Sequence, residues 1–373
     1  MLLEKLRVLG NSASWDSCGG VRQKSLRKVH IPAELENIVY DCSNTSENCR
    51  LMKVLQSNSC IHDCNYCANT CKSRKEELEP IELAQSFNFL EKKGIVQGLF
   101  LSSAVTADAD RSTEKIIESA KIIRKKFGFK GYLHLKVLPG SSKEKIFETA
   151  EYANRISLNL EAVDASLFSE MSSTKNYQND LIKRLFWIDE ANKKGLLPSG
   201  FTTQIVVGAL GETDSQVLQR MDWLYENTSL HRAYFSAFSP VKGTKFESHK
   251  AESKNREHML YQADWLLRVY DFKKKEIESA TGETGNFSLN HDLKLDIAMN
   301  NPDKFPLDIN TARREELLRV PGIGPKTSEK IILLREEKKF RETEELKQAG
   351  IAGRALPFIQ LEKEKQAKIK EFF

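Results

Sequence analysis

The chain has 373 residues, 40% of them hydrophobic and 29% charged, with a formal net charge of +5. This length allows two or three domains and a large core, and the mildly basic balance permits a nucleic-acid partner without requiring one. No apolar run approaches the about 20 residues of a membrane span, and MLLEKLRVLG has charges inside its short apolar stretch, unlike a secretory signal, so a cytoplasmic protein with no membrane partner is expected.

Residues 1–50 read as an N-terminal extension, and all seven cysteines (Cys18, Cys42, Cys49, Cys60, Cys64, Cys67 and Cys71) lie in the first 71 residues. An odd number crowded at one end suits reduced thiols and a metal site better than secreted disulfides. LMKVLQ, residues 51–56, predicts a short strand that delivers the chain into CIHDCNYC. The spacing of Cys60, Cys64 and Cys67 can hold three irons of a 4Fe–4S cube and leave the fourth open. A structural zinc site, built on Cys64 and Cys67 with Cys60, Cys71 or His62, is the alternative, although zinc knuckles usually come as two separated pairs.

After the cysteines, strand-like runs at 98–103, 132–138, 155–161, 202–208 and 232–238 alternate with helical periods near 80–93, 112–127, 143–154, 179–194 and 214–227. Six strands with intervening helices imply parallel, right-handed crossovers. The expected fold is α/β, a partial (β/α)6 TIM-like barrel over residues 51–280, with the cysteine loop at the strand ends where such barrels keep their active sites. Residues 252–278 predict one long closing helix, residues 281–305 a linker, and residues 306–373 a separate all-α unit.

In that last unit, DINTARREELLRVPGIGPKTSEKIILLREE closely resembles a helix-hairpin-helix module of DNA repair and uptake proteins. Thr311 is placed to cap the first helix, Pro321–Gly324 to make the turn, and Pro325 to open the second helix. Gly322, Ile323 and Gly324 would bring backbone N–H groups to a phosphate, with Lys326 and Thr327 adding contacts, and no base is read. GIGPKT is not a P-loop, because the glycine–lysine adjacency is missing and a helix precedes it. A purely structural or protein-binding tail is the rival reading. Residues 340–358 look like a degraded second copy that packs rather than binds.

The three cysteines, with Tyr66 before the last, resemble the signature of the radical S-adenosylmethionine (SAM) superfamily. More of the chain, including EKLRVLGNSASWDSCGG, GLFLSSAV, GYLHLKVLPGSS, RISLNLE and FSPVKGT, resembles radical SAM proteins described as DNA modification or repair proteins and linked with a uracil-DNA glycosylase-like partner. Cys71 departs from the basic residue expected there, which leaves a fourth thiol near the cluster open.

The resemblance implies a 4Fe–4S cluster on Cys60, Cys64 and Cys67, SAM, and an external electron donor. Ser102 and Ser103 would accept the SAM ammonium, Lys136 would pair with its carboxylate, and Asn159 and Glu161 would hold ribose hydroxyls. An ion pair between Lys136 and Glu161 is the structural alternative. Val206 would face adenine, with Gly208 allowing close approach, unless this is simply a buried strand. Cys18 would donate a hydrogen atom to a substrate radical, or lie inert. The implied substrate is DNA; tRNA modification, or a cluster-bearing scaffold for a glycosylase, are the alternatives.

Overall fold

A computed structural model describes residues 2–16, 20–21, 31–43, 48–71 and 74–361. Cys18 lies outside the described residues, as does the side chain of Cys42. The chain divides into two compact units, one of Met1–Glu212 with Trp223–Ser253 and the other of Thr213–Asp222 with Lys254–Phe373.

The first unit is built on an eight-stranded sheet in sequential order. Its strands are β1 (Gly20–Val21), β2 (Val39–Ser43), β3 (Asn48–Leu55), β4 (Gly98–Ser102), β5 (Tyr132–Lys136), β6 (Arg155–Ser157), β7 (Phe201–Val207) and β8 (Arg232–Ala237). From β3 to β8 every pairing is parallel, which gives the six-stranded partial barrel. The sequence pattern did not show β1 and β2, which continue the sheet antiparallel on the outer side of β3. Strands β4 and β7 are buried along their whole length, as parallel strands covered on both faces must be.

Helix α1 (Leu2–Ser12) buries Leu6 and Leu9. Gly10 lets it approach, since a Cβ there would stand 2.2 Å from the Ile38 side chain. The crossover helices follow as α2 (Pro80–Lys92), α3 (Ala109–Lys121), α4 (Lys143–Tyr152), α5 (Ala165–Met171), α6 (Lys183–Lys193) and α7 (Asp214–Asn227). Strand β6 stops at Ser157, short of the expected residue 161. Its continuation still bonds to β7 through the Leu158, Leu160 and Glu161 N–H groups, but it turns at Glu161, which takes the left-handed region at φ 64° and bridges to Ile205.

In the second unit the expected long helix is divided into α8 (Lys254–Tyr270) and α9 (Lys274–Glu278). Asp271 between them takes a positive φ of 53°, and Phe272 is buried. Residues 281–305, expected as a linker, contain α10 (Leu293–Met299), whose N-terminus Asp292 caps by accepting from the Leu295 N–H. Ala298 and Phe305 belong to the same buried cluster as Leu317, Val320, Ile323 and Ile331, so this stretch is part of the helical core. The unit continues with β9 (Leu307–Asp308), α11 (Arg314–Leu317), α12 (Pro325–Glu337), α13 (Thr343–Gln348) and β10 (Ile359–Gln360), and β9 pairs with β10.

The first hairpin helix is capped at Arg313, not Thr311, and the Arg313 N–H donates to the Glu316 carboxylate three residues on. Among the described residues no helix is long and apolar enough to cross a membrane.

Candidate active site and hairpin

At the end of β3 the buried side chains of Gln56, Ser57 and Asn58 hold the chain before it enters the cysteine loop. The Gln56 N–H donates to the Ser102 carbonyl, and the Ala104 N–H to the Ser57 carbonyl, so the loop leaves between β3 and β4. Cys60, Cys64 and Cys67 then line one cavity of about 1120 Å³, part of which is open solvent.

The residues between the cysteines fix the loop. Asp63 accepts from the Ser172 hydroxyl at 2.7 Å, from the Ser173 N–H at 3.1 Å and from the Thr174 hydroxyl at 2.9 Å. Burial opposes its charge, but these hydrogen bonds hold the carboxyl well below the usual carboxylate range. The Asn65 N–H donates to the Met171 carbonyl at 2.8 Å, and its amide to Glu170 at 2.7 Å. His62 Nδ1 lies 3.1 Å from the Thr174 hydroxyl. The cysteine loop and the turn after α5 are therefore one bonded piece.

Tyr66, Ser102, Ser103, Lys136, Asn159, Glu161 and Val206 line the same cavity. Gly208 does not; its φ is +85°, its N–H donates to Glu212, and a Cβ would stand 2.3 Å from the Glu252 carboxylate. Its need for glycine is met by the protein itself. Asn159 Nδ2 donates to Glu161 Oε1 at 3.1 Å, while Glu161 Oε2 is buried without a hydrogen-bond partner. Burial raises the Glu161 carboxyl despite Lys136 and Lys175 nearby, and burial with Glu161 beside it raises Tyr66 well above the usual phenol range.

Lys136 makes its ion pair with Asp16, not with Glu161. The Asp16 carbonyl accepts from Lys53, a fully buried lysine whose ammonium also lies 4.4 Å from the Tyr40 ring centroid. Gln204 donates to the Trp15 carbonyl at 3.2 Å, and Asn58 to the Ser12 hydroxyl at 3.2 Å. The segment Ser12–Asp16 thus satisfies inward-pointing polar groups of β3, β5 and β7. Burial works against the Asp16 charge, but Lys136 and Lys53 outweigh it and hold this carboxyl below its ordinary range.

The donor set fits an iron–sulfur cube. Three thiols on one cavity wall are the soft, anionic donors such a cluster takes. A zinc ion needs its thiolates all about 2.3 Å away, whereas a cube distributes them over separate irons. Burial and the neighbouring Cys64 push the Cys67 thiol up to about 12. Cys71 is not on the cavity wall, and its Sγ lies 3.5 Å from the Lys242 carbonyl.

In the second unit, Gly322 takes φ +85° at the hairpin turn and Pro325 occupies the first turn of α12. Lys326 is exposed and Thr327 half-buried, but the Ile323 side chain is in the core and its N–H donates to the Val320 carbonyl at 3.1 Å, so Ile323 does not offer the N–H expected of it. Lys294 donates to the Ile323 carbonyl at 2.5 Å and lies 4.9 Å from the Tyr270 ring centroid. Burial brings its ammonium down to about 7.

Residues 54–224 match the family model of the radical SAM superfamily, and residues 304–351 match that of a helix-hairpin-helix motif. The chain therefore carries a radical SAM domain and a helix-hairpin-helix motif. The superfamily is one of enzymes that use a 4Fe–4S cluster and SAM, the cofactors expected from the cysteine run. No curated protein matches the chain.

Similar solved structures include the [FeFe]-hydrogenase maturase HydG, at 14% identity and a TM-score of 0.46, over 57% of this chain and 48% of that one. Methylornithine synthase (PylB) is similar at 15% identity and a TM-score of 0.46, over 57% of this chain and 60% of that one. HydG from Carboxydothermus hydrogenoformans is similar at 12% identity and a TM-score of 0.45, over 79% of each chain. The chain thus spans about half the length of the first and three-fifths of the second. At these scores the likenesses say nothing of reaction or substrate.

Proposed function

We propose that this protein is a cytoplasmic radical SAM enzyme that cleaves SAM reductively and acts on a nucleic acid, with DNA modification or repair as the leading reading. The observation that supports the SAM part of this reading is that Cys60, Cys64 and Cys67 share one cavity with Ser102, Ser103, Lys136, Asn159, Glu161 and Val206. Cys60, Cys64 and Cys67 would hold a 4Fe–4S cluster. With an external electron donor and SAM, the chemistry such a cluster supplies is one-electron cleavage of the sulfonium, leading to hydrogen abstraction from a substrate.

The chain's own residues bind and orient. Lys136, shared with Asp16, offers an ammonium to the SAM carboxylate, and Ser102 and Ser103 offer oxygen acceptors to its amino group. Glu161 Oε2, buried and unpartnered, suits a ribose hydroxyl, with Asn159 fixing the other carboxyl oxygen. Val206 supplies an apolar face for adenine.

The nucleic-acid half of the reading rests on the helix-hairpin-helix match, the left-handed Gly322 turn and the exposed Lys326. N–H groups at the start of α12 would meet phosphate oxygens without reading sequence. A uracil-DNA glycosylase-like protein is the further partner in this reading.

Anaerobic reconstitution should give about four irons and four sulfides per chain, with a reduced EPR signal that shifts on adding SAM. Retention of zinc with no iron uptake would contradict the cluster assignment. A cluster that forms but never cleaves SAM, even with nucleic acid present, would favour a scaffold.

A further inference from the structure

Lys175 stands in the turn that the cysteine loop grips. Its ammonium donates to Cys64 Sγ at 3.0 Å, and the side chain lines the same cavity as the three thiols. The turn has little freedom to carry it away, because Asp63 binds Ser172, Ser173 and Thr174 while Asn65 binds Glu170 and Met171. A lysine is not needed to fasten this turn, since those bonds already do so. Burying a strongly hydrated cation here is costly unless negative charge accompanies it, and the Cys64 sulfur, in direct contact, is the group it donates to, with the Glu161 carboxyl also nearby.

We propose that Lys175 tunes the iron–sulfur cluster: its charged N–H···S contact with Cys64 raises the cluster's reduction potential and so eases uptake of the electron needed for SAM cleavage. Reduction adds one negative charge to the cluster and breaks no bond; the electron comes from an external one-electron donor. A fixed positive charge in a region of low dielectric favours the more negative state, and hydrogen bonds to cluster sulfurs act in the same direction. Lys175 is thus a positioning and tuning residue that acts through Cys64. This inference rests on the proposed cluster.

The test is an anaerobic redox titration of the full-length, reconstituted protein without SAM, followed by EPR, with iron and sulfide measured in every sample. In Lys175→Met the ratio of reduced to oxidised cluster at a fixed poise should fall at least tenfold, which is about 59 mV for a one-electron couple. Lys175→Arg, which keeps the charge, should stay within about threefold of wild type. A wild-type ratio in Lys175→Met overturns the inference.

If Lys175→Met holds no iron, Lys175→Gln keeps an N–H donor without the charge, and its ratio should fall as well. A wild-type ratio in that variant, or loss of iron from both, overturns tuning in favour of a structural lysine. Failure of the wild-type protein to assemble a cluster would instead contradict the proposed function.

Discussion

Replacing Asp16 by Asn probes the barrel interior most sharply. The Lys136 and Asp16 side chains are only 11% and 17% exposed, and the Asp16 carbonyl also serves the buried ammonium of Lys53. Removing one partner of a buried ion pair typically costs about 3–5 kcal/mol, because the remaining charge is left without compensation. Asp16→Asn should therefore lower unfolding stability by about that much, and so should Lys136→Met.

The double variant strands neither member of the pair and leaves only the Lys53 charge without the Asp16 carboxylate, so it should lose less than the sum of the two. A coupling energy near the top of the usual range of about 0.5–3 kcal/mol is expected. Urea titration of the four proteins, read by circular dichroism, supplies the cycle. The Asp16 carboxyl is held below its ordinary range, so its contribution is present above the unfolded-state value and is lost as pH falls through the folded one. Additive losses, or single losses below about 1 kcal/mol of the kind found for exposed pairs, would refute the buried-pair reasoning.

Other outcomes follow from the same geometry. Serine at Cys60, Cys64 or Cys67 should cut iron and sulfide content after reconstitution, whereas Cys71→Ser should leave both at the wild-type level, because Cys71 is off the cavity wall. Loss of iron from Cys71→Ser, measured colorimetrically, would bring that thiol back as a ligand. Lys326→Ala should weaken DNA binding about equally for all sequences and reduce the slope of log affinity against log salt by about 1. Fluorescence anisotropy at several salt concentrations reads both, and an unchanged slope would remove Lys326 from the phosphate contacts.

The barrel was legible because parallel strands buried on both faces leave dense apolar runs, and GLFLS and FTTQIVV fall inside β4 and β7. The cysteine run was legible because its three thiols lie close together in sequence. What sequence spacing could not show are contacts between distant segments. Asp16 reaches Lys136 across 120 residues, and Lys175 reaches Cys64 across 111.

A sequence signal for the loop clamp did exist in the polar residues between the cysteines. His62 and Asp63 bind the turn after α5 and Asn65 binds the last residues of α5, and three such residues inside the cysteine loop point to a second segment. The closing helix read as continuous because its period survives Asp271, where the backbone turns left-handed. The stretch 281–305 looked like a linker because its Gly, Asn and Pro residues conceal the short α10, whose Ala298 is held by tertiary packing.

The central claim is SAM cleavage directed at a nucleic acid, and the most direct measurement is 5'-deoxyadenosine release by the reconstituted, chemically reduced protein. Release should be slow with SAM alone and should rise when duplex or single-stranded DNA is added. Stimulation by tRNA alone would move the substrate to RNA. No release under any of these conditions, from protein with a full complement of iron and sulfide, would contradict the account.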